Sequence, residues 1–254
     1  MEYLTSALIG LGVGIIGTGL GSLLVGLIRT PGEKLPGFLM GLSGGVMLSL
    51  VFFDMLPEAV EAAGFGTMLL GTALGGLILW GMHRLLPQVH DHGTEQLGQA
   101  RSNRELLHTG CFLCLGIALH NLPEGLAIGS GLAAGEGAAS GYGVHLALLL
   151  TVHNVIEGAA LAVPLKLSGM RWFGIFALAV LTGLPIGIGA IVGFLLGGIS
   201  QMVLGISIAF GAGAMLFVTL REMVPGALSM GSRAMGVISV AAGVGVGLVM
   251  VYVL

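Results

Sequence analysis

Two stretches carry side chains that can hold a metal ion: ALHNLPEGLAIG at 118–129 and TVHNVIEGAALA at 151–162. Each reads H-N-x-x-E-G, with His120, Asn121 and Glu124 in the first and His153, Asn154 and Glu157 in the second. Residues four apart on a helix share a face one turn apart, so each stretch sets an imidazole above a carboxylate, with the Asn about 100° to the side. Two neutral nitrogens and two anionic oxygens converging from adjacent helices would balance a dication and suit Zn²⁺, with Fe²⁺ and Mn²⁺ also compatible. Without a metal, the two carboxylates repel each other in a medium of low dielectric. Protons are then expected in its place, and metal binding is expected to depend on pH. One isolated His/Glu pair could simply bond to itself and knit two helices together. Two matching copies in apolar surroundings place four ionisable groups where they are costly without a ligand.

The elements that must position these groups are membrane-spanning. Of 254 residues, 56% are hydrophobic and only 8% charged, against roughly a quarter charged in an ordinary soluble domain. Mean hydropathy is +1.04. The composition excludes a soluble protein. Runs long enough to cross ~30 Å of hydrocarbon fall near 4–28, 37–60, 66–86, 107–130, 141–164, 172–197, 201–224 and 233–253. The fold class expected is all-α, a polytopic bundle of eight spans forming one transport domain over 1–254. The 47 glycines lie within apolar runs without a collagen-like period, as small residues do where helices approach closely in lipid. Met1-Glu2-Tyr3 has no basic region ahead of the first run, which is therefore expected to be a span and not a signal. Two cysteines, Cys111 and Cys114, give no disulfide framework.

All nine cations belong to odd-numbered loops: Arg29 and Lys34, then Arg84, Arg101 and Arg104, then Lys166 and Arg171, then Arg221 and Arg233. The positive-inside rule places those loops in the cytoplasm and both termini outside. The longest connection, 87–106, is polar and His-containing and is expected in the cytoplasm. An internal repeat is visible too. GGVMLSLVFFDMLPEAV at 44–60 resembles AGAMLFVTLREMVPGAL at 212–228, aligning Asp54 with Glu222 and Pro57 with Pro225. The copies lie in spans 2 and 7, so they are expected to have opposite topology (1–3 against 6–8), around spans 4 and 5. Such inverted repeats mark transporters.

Other polar residues suggest a path. Asp54 and Glu222 are expected to end spans 2 and 7 on opposite sides, and Asp54, Glu58 and Glu61 would form an acidic outer mouth, or merely a solvated helix end. Glu222 stands beside Arg221, where an ion pair and an exit ligand are both compatible with the sequence. His145, two turns outward of His153, could load metal or could simply pack, and Met40 and Met47 could face the path as soft ligands or fill the core. His83, His90 and His92 could receive departing metal, or belong to a solvated loop. Pro123 should kink span 4 and free the Leu119 carbonyl toward the site. Gly125 and Gly158, after each Glu, leave room for helix contact or water. The C-x-x-C of Cys111 and Cys114 lies well away from His120 on the helical wheel, so packing is the better reading.

The paired HNLPEG and HNVIEG motifs, the eight spans, the outside termini and the His-bearing loop after span 3 resemble the ZIP (Zrt/Irt-like) family of divalent metal transporters, in its bacterial branch. The resemblance covers the whole chain. It implies a permease of the plasma (inner) membrane moving Zn²⁺, often with Fe²⁺, Mn²⁺ or Cd²⁺, into the cytoplasm. It also implies an elevator movement of spans 1, 4, 5 and 6 against 2, 3, 7 and 8, and a homodimer. By the same resemblance His120, Glu124, His153 and Glu157 are the primary ligands, Asn121 and Asn154 lie at a neighbouring position, and Asp54 and Glu222 match polar pathway positions. Many relatives carry a Glu in span 6 that helps build a second metal site. Here that place holds Pro185, Ile186 and Gly187, so one transport site is expected.

Two other classes compete. An intramembrane zinc-dependent hydrolase needs a free general base beside a metal-bound water, as in H-E-x-x-H, but here Asn follows each His. A metal-sensing membrane protein has no need of an inverted repeat. No basic patch or P-loop points to nucleic acid or nucleotide, and energy would have to come from a gradient or a coupled ion.

Overall fold

In hydrocarbon a helix satisfies every backbone donor and acceptor within its own segment, so long apolar runs adopt it. The computed structural model, which describes residues 2–32, 34–85, 102–134, 141–230 and 232–253, is all-α, with no strand among those residues. Among the described residues, eight helices are long and apolar enough to cross a membrane. They are α1 (Glu2–Leu27), α2 (Leu35–Ala63), α3 (Phe65–Leu85), α4 (Asn103–Ala134), α5 (Tyr142–Leu167), α6 (Trp172–Gly197), α7 (Gln201–Ser229) and α8 (Arg233–Val253). Each expected span corresponds to one of them. Gly64 and Gly169 end α2 and α5 at φ +82° and +84°, a region other residues rarely enter.

Asp54 and Glu222 are not helix ends. They lie within α2 and α7, which run on to Ala63 and Ser229. Each is in a π-helical turn, Val51–Met55 and Thr219–Met223, closely followed by Pro57 or Pro225. Proline lacks a donor and crowds the carbonyl four residues before it; one extra residue per turn relieves that crowding without ending the helix. Aligning 44–60 on 212–228 sets Val51 on Thr219 and Met55 on Met223, so the two π-turns fall at the same place in the repeat.

The closeness of backbone approach divides the helices into two groups. In the first (α1, α4, α5, α6), a Cβ on Gly14 would lie 2.1 Å from the Gly183 carbonyl oxygen, and one on Gly193 2.0 Å from that of Leu126. In the second (α2, α3, α7, α8), Gly45 and Gly213 meet the carbonyls of Val240 and Thr72 at 2.2 and 2.0 Å in the same sense. Among the described residues, every glycine whose Cβ would come within 3.0 Å of a neighbour meets it inside its own group. Across the seam the approaches are looser, as for Gly211 with the Pro123 carbonyl at 3.1 Å. Large side chains fill part of that seam: Met47, Leu50 and Met55 share one buried cluster with Ile128, Leu149 and Leu150.

Hydroxyls and one lysine tighten the first group. Thr18 donates to the Ala179 carbonyl at 2.6 Å, Ser6 to that of Ala190 at 3.0 Å and Ser130 to that of Gly193 at 3.1 Å. Lys166 Nζ on α5 donates to the Val25 and Gly26 carbonyls at 3.0 and 2.9 Å and also to that of Ile28, capping the end of α1.

Candidate metal centre

α4 carries His120 and Glu124, α5 carries His153 and Glu157, and all four side chains are buried. The i, i+4 spacing does what helical pitch requires, while packing of α4 on α5 interleaves the two pairs. Glu157 Oε1 lies 2.8 Å from His120 Nε2 on the other helix and 3.0 Å from His153 Nε2 on its own. His153 Nε2 comes 3.6 Å from Glu124 Oε1. One ligand atom each from His120, Glu124 and Glu157 fall within 4.8 Å of one another. His153 adjoins this trio through both carboxylates.

The Asn residues act differently from each other. Asn154 donates to Glu124 Oε2 at 3.2 Å, steadying that carboxylate, whereas Asn121 donates across to the Thr182 carbonyl of α6 at 2.7 Å. Ser43 Oγ of α2 lies 3.5 Å from His153 Nδ1, a contact that would hold the imidazole with Nε2 toward the carboxylates. Five buried polar atoms at this centre have no hydrogen-bond partner: His120 Nδ1, Asn121 Oδ1, Glu124 Oε1, Asn154 Oδ1 and Glu157 Oε2. Such orphans are costly in an apolar interior. A carboxylate oxygen from each Glu is thus available to a cation.

The glycine after each Glu serves close contact. A Cβ on Gly125 would lie 2.1 Å from the Ile186 carbonyl oxygen of α6, and one on Gly158 2.2 Å from that of Thr18 in α1. Backbone therefore presses on backbone behind both carboxylates. Ile186 is fully buried there.

A small cavity of about 20 Å³ leads from the centre, lined by Met40, Ser43, His120, Glu157, Glu222 and Met223 among others. That is about the space of one or two water molecules. Glu222 Oε2 faces Gly116, one turn before His120 on α4, at 3.4 Å from where its Cβ would be.

Residues 82–252 match the family described as ZIP Zinc transporter, more than half of the chain. The chain belongs to the ZIP family. It is 34% identical over 238 residues to the zinc transporter ZupT of Corynebacterium aurimucosum, covering 89% of this chain and 88% of that one. Zinc transporter ZTP29 of Arabidopsis thaliana is 30% identical over 238 residues (86% and 84%). ZupT of an Escherichia coli strain is 32% identical over 217 residues (82% and 81%). This ZIP protein is thus an integral membrane protein of a transporter family, and its relatives are named as zinc transporters, not as enzymes.

Away from the His/Glu centre, the ZIP chain places its other polar residues unevenly. Tyr142 Oη donates to Asp54 Oδ2 at 3.0 Å and His145 Nε2 meets Asp54 Oδ1 at 3.2 Å, joining α5 to the π-turn of α2. Glu58 is half-buried one turn further on and Glu61 is exposed. Met40 lines the cavity, whereas Met47 is fully buried in the seam cluster. Glu222 lines the cavity, while its neighbour Arg221 lines a groove on the outside of the bundle. Pro123 lies within an unbroken α4 and lines, with Leu119, an apolar groove beside α3, α6 and α7. Cys114 packs in the core, but Cys111 is exposed and does not. His90 and His92 lie outside the described residues; His83 is on α3.

The sequence reading missed Ser43, Tyr142 and Thr182. Ser43 had one weak signal, its place three residues after Met40 on the same face. Tyr142 and the Thr182 carbonyl had none, because their roles depend on which helix faces them.

Proposed function

We propose that this chain is a permease that carries a divalent metal ion, Zn²⁺ before others, into the cytoplasm, with His120, Glu124, His153 and Glu157 as the transport site. The observation that supports this most is Glu157 Oε1 standing within hydrogen-bond distance of both imidazoles while Glu124 Oε1 and Glu157 Oε2 remain without hydrogen bonds in a buried site. A ligating imidazole offers a nitrogen lone pair. Protons shared between the Nε2 atoms and the carboxylate would therefore leave as the metal arrives. Two carboxylates and two imidazoles make a neutral set around a dication, and Asn154 and Ser43 orient a member of each kind.

The two sides of the site differ. The cavity runs from His120 and Glu157 to Glu222, while on the other side Asp54 is held by Tyr142 and His145 and the seam cluster packs beneath. This arrangement supports a closed state in which the small space beside the site lies toward the cytoplasm, with the termini outside by the cation distribution. The two glycine-packed groups support an elevator movement. Each is held internally by backbone contact, and the seam between them is made largely of side chains that can slide. The deciding experiment is radiolabelled Zn²⁺ uptake into proteoliposomes by wild type, His120→Ala and Glu157→Ala. Uptake by wild type that both substitutions abolish is expected; unchanged uptake in both would overturn the site.

A further inference from the structure

A groove of about 570 Å³ runs along the outside of the bundle between α3 and α7, away from the transport site. Its floor is low because Gly76 and Gly213 present no side chain: a Cβ on Gly76 would find only the Gly213 carbonyl, at 3.7 Å. Leu77, Leu216 and Leu220 line it along its length, and among the described residues its one charged lining residue is Arg221. Leu77 and Leu220 are more than half exposed, so the groove opens toward lipid.

A second cation lies toward the same end of the two helices. α3 and α7 run side by side in the same direction, Gly71 meeting Ile206 and Ala209, and Gly75 meeting Phe210 and Ala214. Nine residues further along both helices, Arg84 comes level with the Thr219–Met223 turn that contains Arg221. Gly76 and Leu77 lie three and four residues after Ala73, and Trp80 and Arg84 lie seven and eleven after it, a single face of α3. The first three line the groove. Arg84 stacks over the Trp80 ring at 4.9 Å, which leaves the guanidinium edge for hydrogen bonding. An apolar channel capped by two arginines and flanked by a tryptophan has the form of one acyl chain with an anionic headgroup. The cation distribution assigns this end to the cytoplasmic leaflet.

We infer that the α3–α7 groove is a binding site for an anionic glycerophospholipid of that leaflet, its acyl chain lying over Gly76 and Gly213 and its phosphate bound by Arg221 and Arg84. A neutral zwitterionic lipid can fill the channel but lacks the net charge that two guanidinium groups select. Because Arg221 and Glu222 occupy one π-turn, the headgroup would steady the same turn that presents Glu222 to the cavity.

The test is native mass spectrometry of the purified full-length protein titrated with phosphatidylglycerol or phosphatidylcholine. Wild type is expected to retain phosphatidylglycerol at least about tenfold more tightly than phosphatidylcholine. The double substitution Arg84→Gln/Arg221→Gln should abolish that preference. Gly76→Leu, which fills the channel and leaves both arginines, should weaken binding of both lipids, with Ala73→Leu as a second channel-filling variant. Thermal stability in detergent checks that each variant is folded. Equal retention of both lipids by wild type would overturn the site. So would a preference that survives the arginine substitutions, or phosphatidylglycerol binding unaffected by either channel-filling variant.

Discussion

His145 on α5 and Asp54 on α2 meet at 3.2 Å across the seam between the two helix groups. With the Tyr142 hydroxyl on the other carboxylate oxygen, the contact fastens the side of the bundle opposite the cavity. Releasing it should expose the seam from outside. In a background with Cys111 and Cys114 replaced by Ala, a Leu146→Cys probe, fully buried in the folded chain, should react with an impermeant maleimide severalfold faster when His145→Ala and Tyr142→Phe are added. An unchanged labelling rate would mean that the seam cluster closes the outer side unaided.

Glu157 touches both imidazoles and Glu124 only approaches one. Glu157→Gln should therefore weaken Zn²⁺ binding more than Glu124→Gln, by more than about 100-fold, since even outer-shell partners contribute about 10- to 100-fold. Ser43→Ala, which removes only the contact at His153 Nδ1, should cost about tenfold. Calorimetric titration of the three variants gives the order; equal losses would show that the ligands share the metal evenly.

Imidazole and carboxylate bind metal only when deprotonated, so protons compete for the same atoms. Zn²⁺ affinity should fall as pH is lowered from about 8 to about 5, with more protons released per ion bound toward the lower end. Affinity constant across that range would remove the exchange of protons for metal.

Stoichiometry should be one Zn²⁺ per chain at the His/Glu centre. Ile186 fills the adjoining position of α6 and its carbonyl faces Gly125, leaving no carboxylate there. Anomalous scattering that showed two fully occupied zinc positions between α4 and α5 would refute this.

Glycine substitutions should separate contact from composition. Gly125→Ala and Gly158→Ala would drive a methyl to 2.1 and 2.2 Å from backbone oxygens of α6 and α1. Each should lower stability by about 1–3 kcal/mol, as overpacking does. Gly12→Ala meets nothing within 4 Å and should stay within about 0.5 kcal/mol of wild type. Thermal unfolding in one detergent compares all three.

Much of the molecule could be read from residues in order. The spans were legible because hydrocarbon admits helix alone for such apolar runs, and the His/Glu pairs of the centre because i, i+4 spacing fixes a shared face on any helix. What could not be read is rotation and partnership. A helix apolar all round has no stripe to say which side meets protein, so nothing distinguished Met40, in the cavity, from Met47, in the core. Asp54 and Glu222 were expected to end spans 2 and 7, yet π-turns carry both helices on. By itself the sequence determined the helices and the shared faces of the two His/Glu pairs, through local geometry and the cost of charge in lipid. Only tertiary packing decided that Ser43 and Tyr142 reach the path, that α6 and α1 press behind the two carboxylates, and that a groove is left beside Arg221. Those are contacts between residues far apart in the chain, and they depend on how closely small residues let particular backbones approach.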